Sequence, residues 1–230
     1  MGKADEKTTE FLSKGTVFAD VFNHGMFQGK TIIQPDKLVD LDSASRHAGL
    51  VSKVRDVVKK YDDQIVCMIL GAENQHNIHF AMPLRIMDYD LRSYEKQRQE
   101  IQAEHKKEKN LKGDEYLSGF SKTDKLLPVY TLVVYWGKEE WSGPRDLHDM
   151  LQIPEQLKEY PDLISNYRMH LLEINKIENL ATYPDELRRV FGFVKYQGDR
   201  DALLEYVQDN EMLFHEVSKE EYDLIREVTH

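Results

Sequence analysis

Two carboxylates and an amide offer the most direct chemistry in this sequence. Asp56 lies inside the otherwise apolar "VRDVV", and Glu73 and Gln75 close the stretch "QIVCMILGAENQ" (64–75). An apolar run from Ile65 to Leu70 is followed by Gly71 and Ala72, then by an acid and two amides in a row. In a hairpin whose strands are about six residues long, Asp56 near one strand's start and Glu73 past the other's end fall at the same edge. Gln75 comes two residues later, which in extended chain is the same side. Two carboxylates held together repel, and a cation lets both stay ionised. Oxygen ligands without a thiolate or imidazole cluster favour Mg²⁺ or Mn²⁺. Such an ion binds a phosphodiester, polarises it and supplies an activated water. Asp20 on the first predicted helix is a candidate third acid. The competing reading puts Asp56 in an ion pair with a nearby Lys and Glu73 in a solvated turn. With 41 acids in 230 residues, spacing alone leaves both open.

The elements that must position these groups follow from periodicity. Residues 5–27 read as one helix, with Phe18, Val21, Phe22 and Met26 at three- and four-residue spacings. The segment 34–44 opens with a turn signal and holds a first strand. Residues 54–58, a polar turn over 59–64 and residues 65–70 read as strand, turn and strand. A long helix is predicted from Pro83, a residue suited to a first helical turn. It becomes almost wholly charged through Lys112, with opposite charges at helical spacing, the mark of a solvated helix. "LLPVYTLVVYWG" (126–137) is the most strand-like segment, being β-branched and aromatic with a glycine stop. The rest reads as helical, broken at Pro144, Pro154, Pro161 and Pro184, with "LLEI" (171–174) as one further short strand. "SKEE" (218–221) has the spacing of a capping box. The order gives a mixed α/β core with a helical C-terminal part.

The bulk numbers bound the function. A chain of 230 residues, 40% apolar and 31% charged, reads as globular and buries a sizeable core. Its net charge of −10 argues against broad adhesion to nucleic acid or anionic membranes. The single Cys67 lies in the apolar run, so a buried thiol is expected and a disulfide framework is not. The charged start "MGKADEKTTE" has no apolar signal region, and no apolar run approaches the roughly 20 residues of a membrane span, so a cytoplasmic protein without a membrane partner is expected.

Other residues weigh less. His76 and His79 are three apart, but a polar role beside the acids suits them better than metal ligation. Arg85, near a helix start, either reaches a phosphate or pairs with Asp88. Lys106 and Lys107, with Lys109 and Lys112, offer contacts to a nucleic-acid backbone. The interleaved Glu100, Glu104 and Glu108 favour a solvated helix instead. Trp136 and Trp141 are expected to close the core at a strand end rather than to stack on bases.

The segments "KGTVFADVFN", "KVRDVV", "MILGAENQHNIHFAMPLRIMDYD" and "LSGFSKTDKLLPVYTLVVYWGKEEWSGPRDLHDM" together resemble the Rpn family, the recombination-promoting nucleases with transposase-like members, of the PD-(D/E)xK nuclease superfamily. The resemblance spans roughly residues 1–175 and fades beyond. It implies a restriction-endonuclease-like core, a mixed sheet flanked by helices, over 1–175, with 176–230 as a helical extension packed on it. It further implies Mg²⁺-dependent (or Mn²⁺-dependent) DNA cleavage. Asp56 would stand for the Asp of the PD-like motif and Glu73 for the acid of (D/E)xK, the two holding the metal. Gln75 takes the usual lysine position and would orient the attacking water, with Asp20 as the assisting acid of the first helix. Arg55, not proline, precedes Asp56, and Gln75 brings no positive charge, so activation would lean more on the metal. Two readings stay beside the nuclease: an inactive DNA-binding or protein-interaction relative, and an enzyme controlled by homo-oligomer assembly through its charged helix.

Overall fold

The computed structural model describes residues 2–41, 56–62 and 67–229, and over 67–73 the backbone alone. Helices α1 (Lys3–Ser13) and α2 (Gly15–Phe27) lead into strand β1 (Leu38–Asp40), followed by β2 (Val57–Asp62) and β3 (Cys67–Gln75). Helix α3 (Met82–Glu108) and the short α4 (Gly113–Ser118) precede β4 (Val129–Tyr135) and β5 (His170–Glu173). Helices α5 (Asp185–Tyr196), α6 (Arg200–Asp209), α7 (Glu211–Phe214) and α8 (Lys219–Val228) complete the chain. The five strands form one sheet in sequence order. The β1–β2 and β2–β3 pairs are antiparallel, whereas β3–β4 and β4–β5 are parallel.

Alternation along β4 separates two layers. Leu132 and Val134, with Trp136 just beyond, join the larger apolar cluster with α1, α2, α5 and α8. Val133 and Tyr135 join the smaller one with Met82, Ile86 and Tyr89 of α3. A period of two on a strand buried on both faces therefore carries helices on both sides. The C-terminal helices supply Leu187, Val190, Phe191, Leu224 and Ile225 to the same cluster as the sheet. Trp136 meets Phe191 edge-on at 5.7 Å between ring centroids.

Several expectations are corrected. The single helix over 5–27 is two, because Lys14 is extended (φ −61°, ψ 126°). Its ammonium reaches Glu186 and Glu220 at 3.0 Å each, long-range ion pairs that hold the break. Strand β2 runs through the expected turn to Asp62, since its polar residues are paired: Lys59 with Asp40, and Lys60 with Asp62 at 2.8 Å. Lys59 also lies over the Phe18 ring at 5.6 Å, which lets a lysine be buried in the sheet. Strand β3 extends to Gln75, so Glu73 lies within it and not past its end. Helix α3 ends at Glu108, capped by Lys109 in the left-handed region at φ 53°, short of Lys112. The stretch from 137 to 184 is loop, short 3₁₀ turns and β5 rather than broken helix. Its prolines remove amide donors and push the preceding residues out of helical geometry. Val54, the 63–66 part of the expected hairpin and the Cys67 thiol lie outside the described residues. Among the described residues no helix is long and apolar enough to cross a membrane.

Candidate active site

The site forms where β3 ends beside the start of β2. Val57 pairs with Ala72, so the next step of the antiparallel register sets Asp56 opposite Glu73. On its other side Glu73 pairs with Val133. The Asn74 amide donates to Asp56 Oδ2 at 2.7 Å and fixes the carboxylate against the strand. Asn74 itself is buried. Its Nδ2 donates to Thr9 Oγ1 at 3.2 Å, and its Oδ1 accepts from Trp136 Nε1 at 3.0 Å, tying β3 to α1 and to the end of β4. Gln75 is the last residue of β3 and pairs with Tyr135, and its carbonyl accepts the Trp136 amide at 2.8 Å. Its Nε2 donates to the Asn74 carbonyl at 2.6 Å.

Burial pushes the Asp56 carboxyl above the ordinary aspartate range. The Asn74 amide and the Arg85 guanidinium oppose that shift, and the charge of Asp5 adds to it. Arg85 thus stands near Asp56 from the first turns of α3, where its Nε donates to Tyr89 Oη at 2.8 Å. Asp88, its expected alternative partner, pairs with Arg92 at 3.0 Å. Asp5 comes from the first turn of α1, where it accepts the Gly2 amide at 3.1 Å. Its Oδ1 lies 3.7 Å from His76 Nε2, beyond hydrogen-bond distance. Burial holds the His76 imidazole below its ordinary range, against the pull of Asp5. His79 Nδ1 accepts the Ala81 amide at 3.3 Å. Of the two histidines, His76 is the one that stands beside an acid, Asp5.

Asp56, Gln75 and Arg85 gather around the strand ends, and Glu73 is placed there by register, its side chain lying outside the described residues. Asp20 faces elsewhere. Burial raises its carboxyl, and the charges acting on it are those of His24 and Glu186, the latter on α5. The helical acid whose charge reaches Asp56 is Asp5, which the sequence reading did not single out. The signal for it was an acid in a first helical turn, shared by many capping residues. Asn74 was passed over as one of two adjacent amides, although strand alternation sets it on the face opposite its neighbours. Lys106 and Lys107 lie about 32–33 Å along α3 from Arg85, at 1.5 Å per residue. Trp136 and Trp141 are buried as expected. Among the described residues no three His, Cys, Asp or Glu side chains gather as a metal site.

Comparison of the chain with family models, with curated proteins and with solved structures finds no match.

Proposed function

We propose that the chain is a metal-dependent DNA endonuclease that hydrolyses phosphodiesters at the junction of β2 and β3, with the mixed sheet and its flanking helices as a restriction-endonuclease-like core. One observation carries the reading. The paired register of β2 and β3 ends at Val57 and Ala72, one residue short of Asp56 and Glu73, and the Asn74 amide orients the Asp56 carboxylate. Two acids well separated in the sequence become neighbours at a strand end that also presents Gln75 and, from α3, Arg85. The sequence resemblance assigns Asp56, Glu73 and Gln75 the same grouping.

The donor chemistry fits a hard divalent ion. Asp56 offers oxygen in a setting where burial disfavours its anion, so a cation relieves an existing cost. Mg²⁺ or Mn²⁺ would be held by Asp56 and Glu73; such an ion polarises the phosphodiester and lowers the pKa of water. The chain's own residues do the rest. The Asn74 amide keeps the Asp56 carboxylate in place through turnover. Gln75 uses its amide to orient the attacking water. Arg85 meets the phosphate's negative charge, steadied by Tyr89. Asp20, whose charged neighbours are His24 and Glu186, is given no role in this arrangement. DNA is the substrate, and the proposed location is the cytoplasm.

A second reading keeps the fold without the chemistry, as a DNA-binding or protein-interaction relative. It is favoured by Gln75, whose amide is bonded to the neighbouring Asn74 carbonyl where a lysine would bring charge. Plasmid nicking by the purified chain with Mg²⁺ or Mn²⁺ separates the two. The nuclease reading expects cleavage that disappears with EDTA, Asp56→Ala and Glu73→Ala. No cleavage across metals and concentrations would sink it, as would activity that survives Glu73→Ala.

A further inference from the structure

His24, in the last turn of α2, is engaged through both ring nitrogens. Its Nδ1 lies 2.8 Å from the Asp20 carbonyl, one helical turn back. Its Nε2 lies 2.8 Å from the Thr182 carbonyl, 158 residues further along the chain. Both partners are backbone carbonyls, which accept and never donate. A neutral imidazole has one N–H, so it makes one of these bonds and sets the lone pair of its other nitrogen against an oxygen. The doubly protonated ring makes both. The surroundings suit its charge, because the C-terminal turn of a helix is partially negative. The Tyr183 ring also stacks on the imidazole at 4.2 Å and 24°, and an aromatic face attracts a cation.

Asp20 on α2, Tyr183 ahead of α5 and Glu186 within α5 are the titratable groups that these contacts bring to the ring. Glu186 is paired with Lys14 at 3.0 Å. Burial raises the Asp20 carboxyl, and the charge of His24 opposes that rise. Burial pushes the Tyr183 phenol up to about 12, so it stays neutral wherever a histidine changes charge. From Tyr183 a line of direct contacts leads to the candidate site. Tyr183 meets Phe191 edge-on at 5.9 Å between ring centroids, and Phe191 meets Trp136 edge-on at 5.7 Å. Trp136 Nε1 donates to Asn74 Oδ1 at 3.0 Å, and the Asn74 amide donates to Asp56 Oδ2 at 2.7 Å.

We propose that His24 is a pH-operated latch whose state is passed through this line of rings to Asp56. With two protons it ties the end of α2 to the 3₁₀ turn Leu180–Thr182 ahead of α5. With one proton it releases a carbonyl, and the ring stack that seats Trp136 beside Asn74 loosens. Both bonds hold the junction below the range in which histidines titrate, and one is lost as pH rises through it. The device is independent of whatever reaction Asp56 supports.

The test uses the full chain between about pH 5 and 8. Ring-nitrogen NMR reads the protons of His24, and indole NMR reads the Trp136 Nε1 proton. Hydrogen exchange reads the Tyr183 and Arg188 amides, which donate to the Leu180 and Pro184 carbonyls at 3.0 and 2.9 Å. Two N–H groups on His24 at the acid end and one at the other are expected. Protection of the two amides should fall about fivefold across the range, the scale of one hydrogen bond, and the Trp136 signal should move with the same midpoint. In His24→Gln protection should no longer vary with pH, and the matching movement of Trp136 should vanish. His76, 6.2 Å from Trp136, is retained in that variant and serves as its control. His24→Phe, which keeps a ring against Tyr183 without either bond, should show low protection at every pH. One N–H on His24 throughout overturns the latch, as does protection that varies alike in wild type and His24→Gln. A Trp136 response identical in the two overturns its link to Asp56.

Discussion

The Asn74 amide and the Asp56 carboxylate meet at 2.7 Å across the end of the β2–β3 hairpin. The bond joins a backbone donor on a central strand to an acid just outside its neighbour, so the acid is oriented by the sheet and not by a loop. A carboxylate fixed in this way, yet partly desolvated, is the preparation that the proposed cation site calls for.

That preparation has a stability signature. Burial raises the Asp56 carboxyl in the folded chain, so the folded state holds its proton more tightly than the unfolded state does. Ionisation therefore weakens the fold. The penalty is absent below the ordinary carboxyl range and grows as pH rises through the raised folded value. Asp56→Asn, which keeps an acceptor for Asn74, should melt higher than wild type at pH 7, with the gap closing toward about pH 3. Mg²⁺ or Mn²⁺ should raise the Tm of wild type and leave that of Asp56→Asn unmoved. Differential scanning fluorimetry across pH and metal reads both, and an Asp56→Asn melting below wild type at pH 7 would refute the argument.

On the α3 face of the sheet, buried Asp90 of α3 accepts Thr131 Oγ1 of β4 at 2.6 Å and also takes the Tyr167 hydroxyl. These bonds seat the long helix and the loop before β5 on the parallel strands. Removing the shared acceptor strands two hydroxyls, so Asp90→Ala should cost about 3 kcal/mol and Tyr167→Phe about 1–2 kcal/mol. Urea unfolding at neutral pH measures both, and the ordering of the two losses is the check.

Phe191 on α5 is fully buried and edge-on to Trp136 at the end of β4. Arg189 of the same helix is bonded at 2.7 Å to Glu221 of α8, both side chains being buried. With these contacts the C-terminal helices complete the core that α1 and α2 share with the sheet. Phe191→Ala should cost about 3–5 kcal/mol. Residues 1–175 alone should lack a cooperative thermal transition. A two-step melt of the full chain, with the first step assignable to 176–230, would contradict this.

At the far end of α3, His105 is bonded at 2.8 Å to both Asp124 and Asn110, pinning the segment that carries α4. Bonding to Asp124 and then Asn110 holds the imidazole above its ordinary range. Desolvation pushes the Asp124 carboxyl up, but the Ser121 amide and His105 outweigh it, and the carboxyl ends below its usual range. The pinning is complete below the unfolded histidine value and is lost as pH rises through the raised folded one. On the acid side it is lost as pH falls through the lowered value of Asp124. Limited proteolysis between 110 and 127 should accelerate as pH rises through the histidine range. In His105→Gln the rate should be high and independent of pH there.

Much of this arrangement is local and was legible in the residues. The β-branched, aromatic run of β4 stops just before Gly137, and Ser218 and Glu221 cap α8 reciprocally. The two tryptophans are buried, and a short strand lies at 170–173. Each depends on side-chain periodicity or on a bond between residues three apart, which a linear pattern carries. The nearness of Asp56 to the end of β3 was legible for the same reason, because an antiparallel pair converts sequence distance into register.

What the sequence did not carry was settled by partners far along the chain. The break at Lys14 is held by Glu186 of α5 and Glu220 of α8. The length of β2 depends on Asp40 and Phe18 sheltering Lys59. Asp20 has the charges of His24 and Glu186 near it while Asp5 is the acid near Asp56, the two helices parting at Lys14. Periodicity says which residues of an element share a face; only the docking of elements against one another says what that face meets.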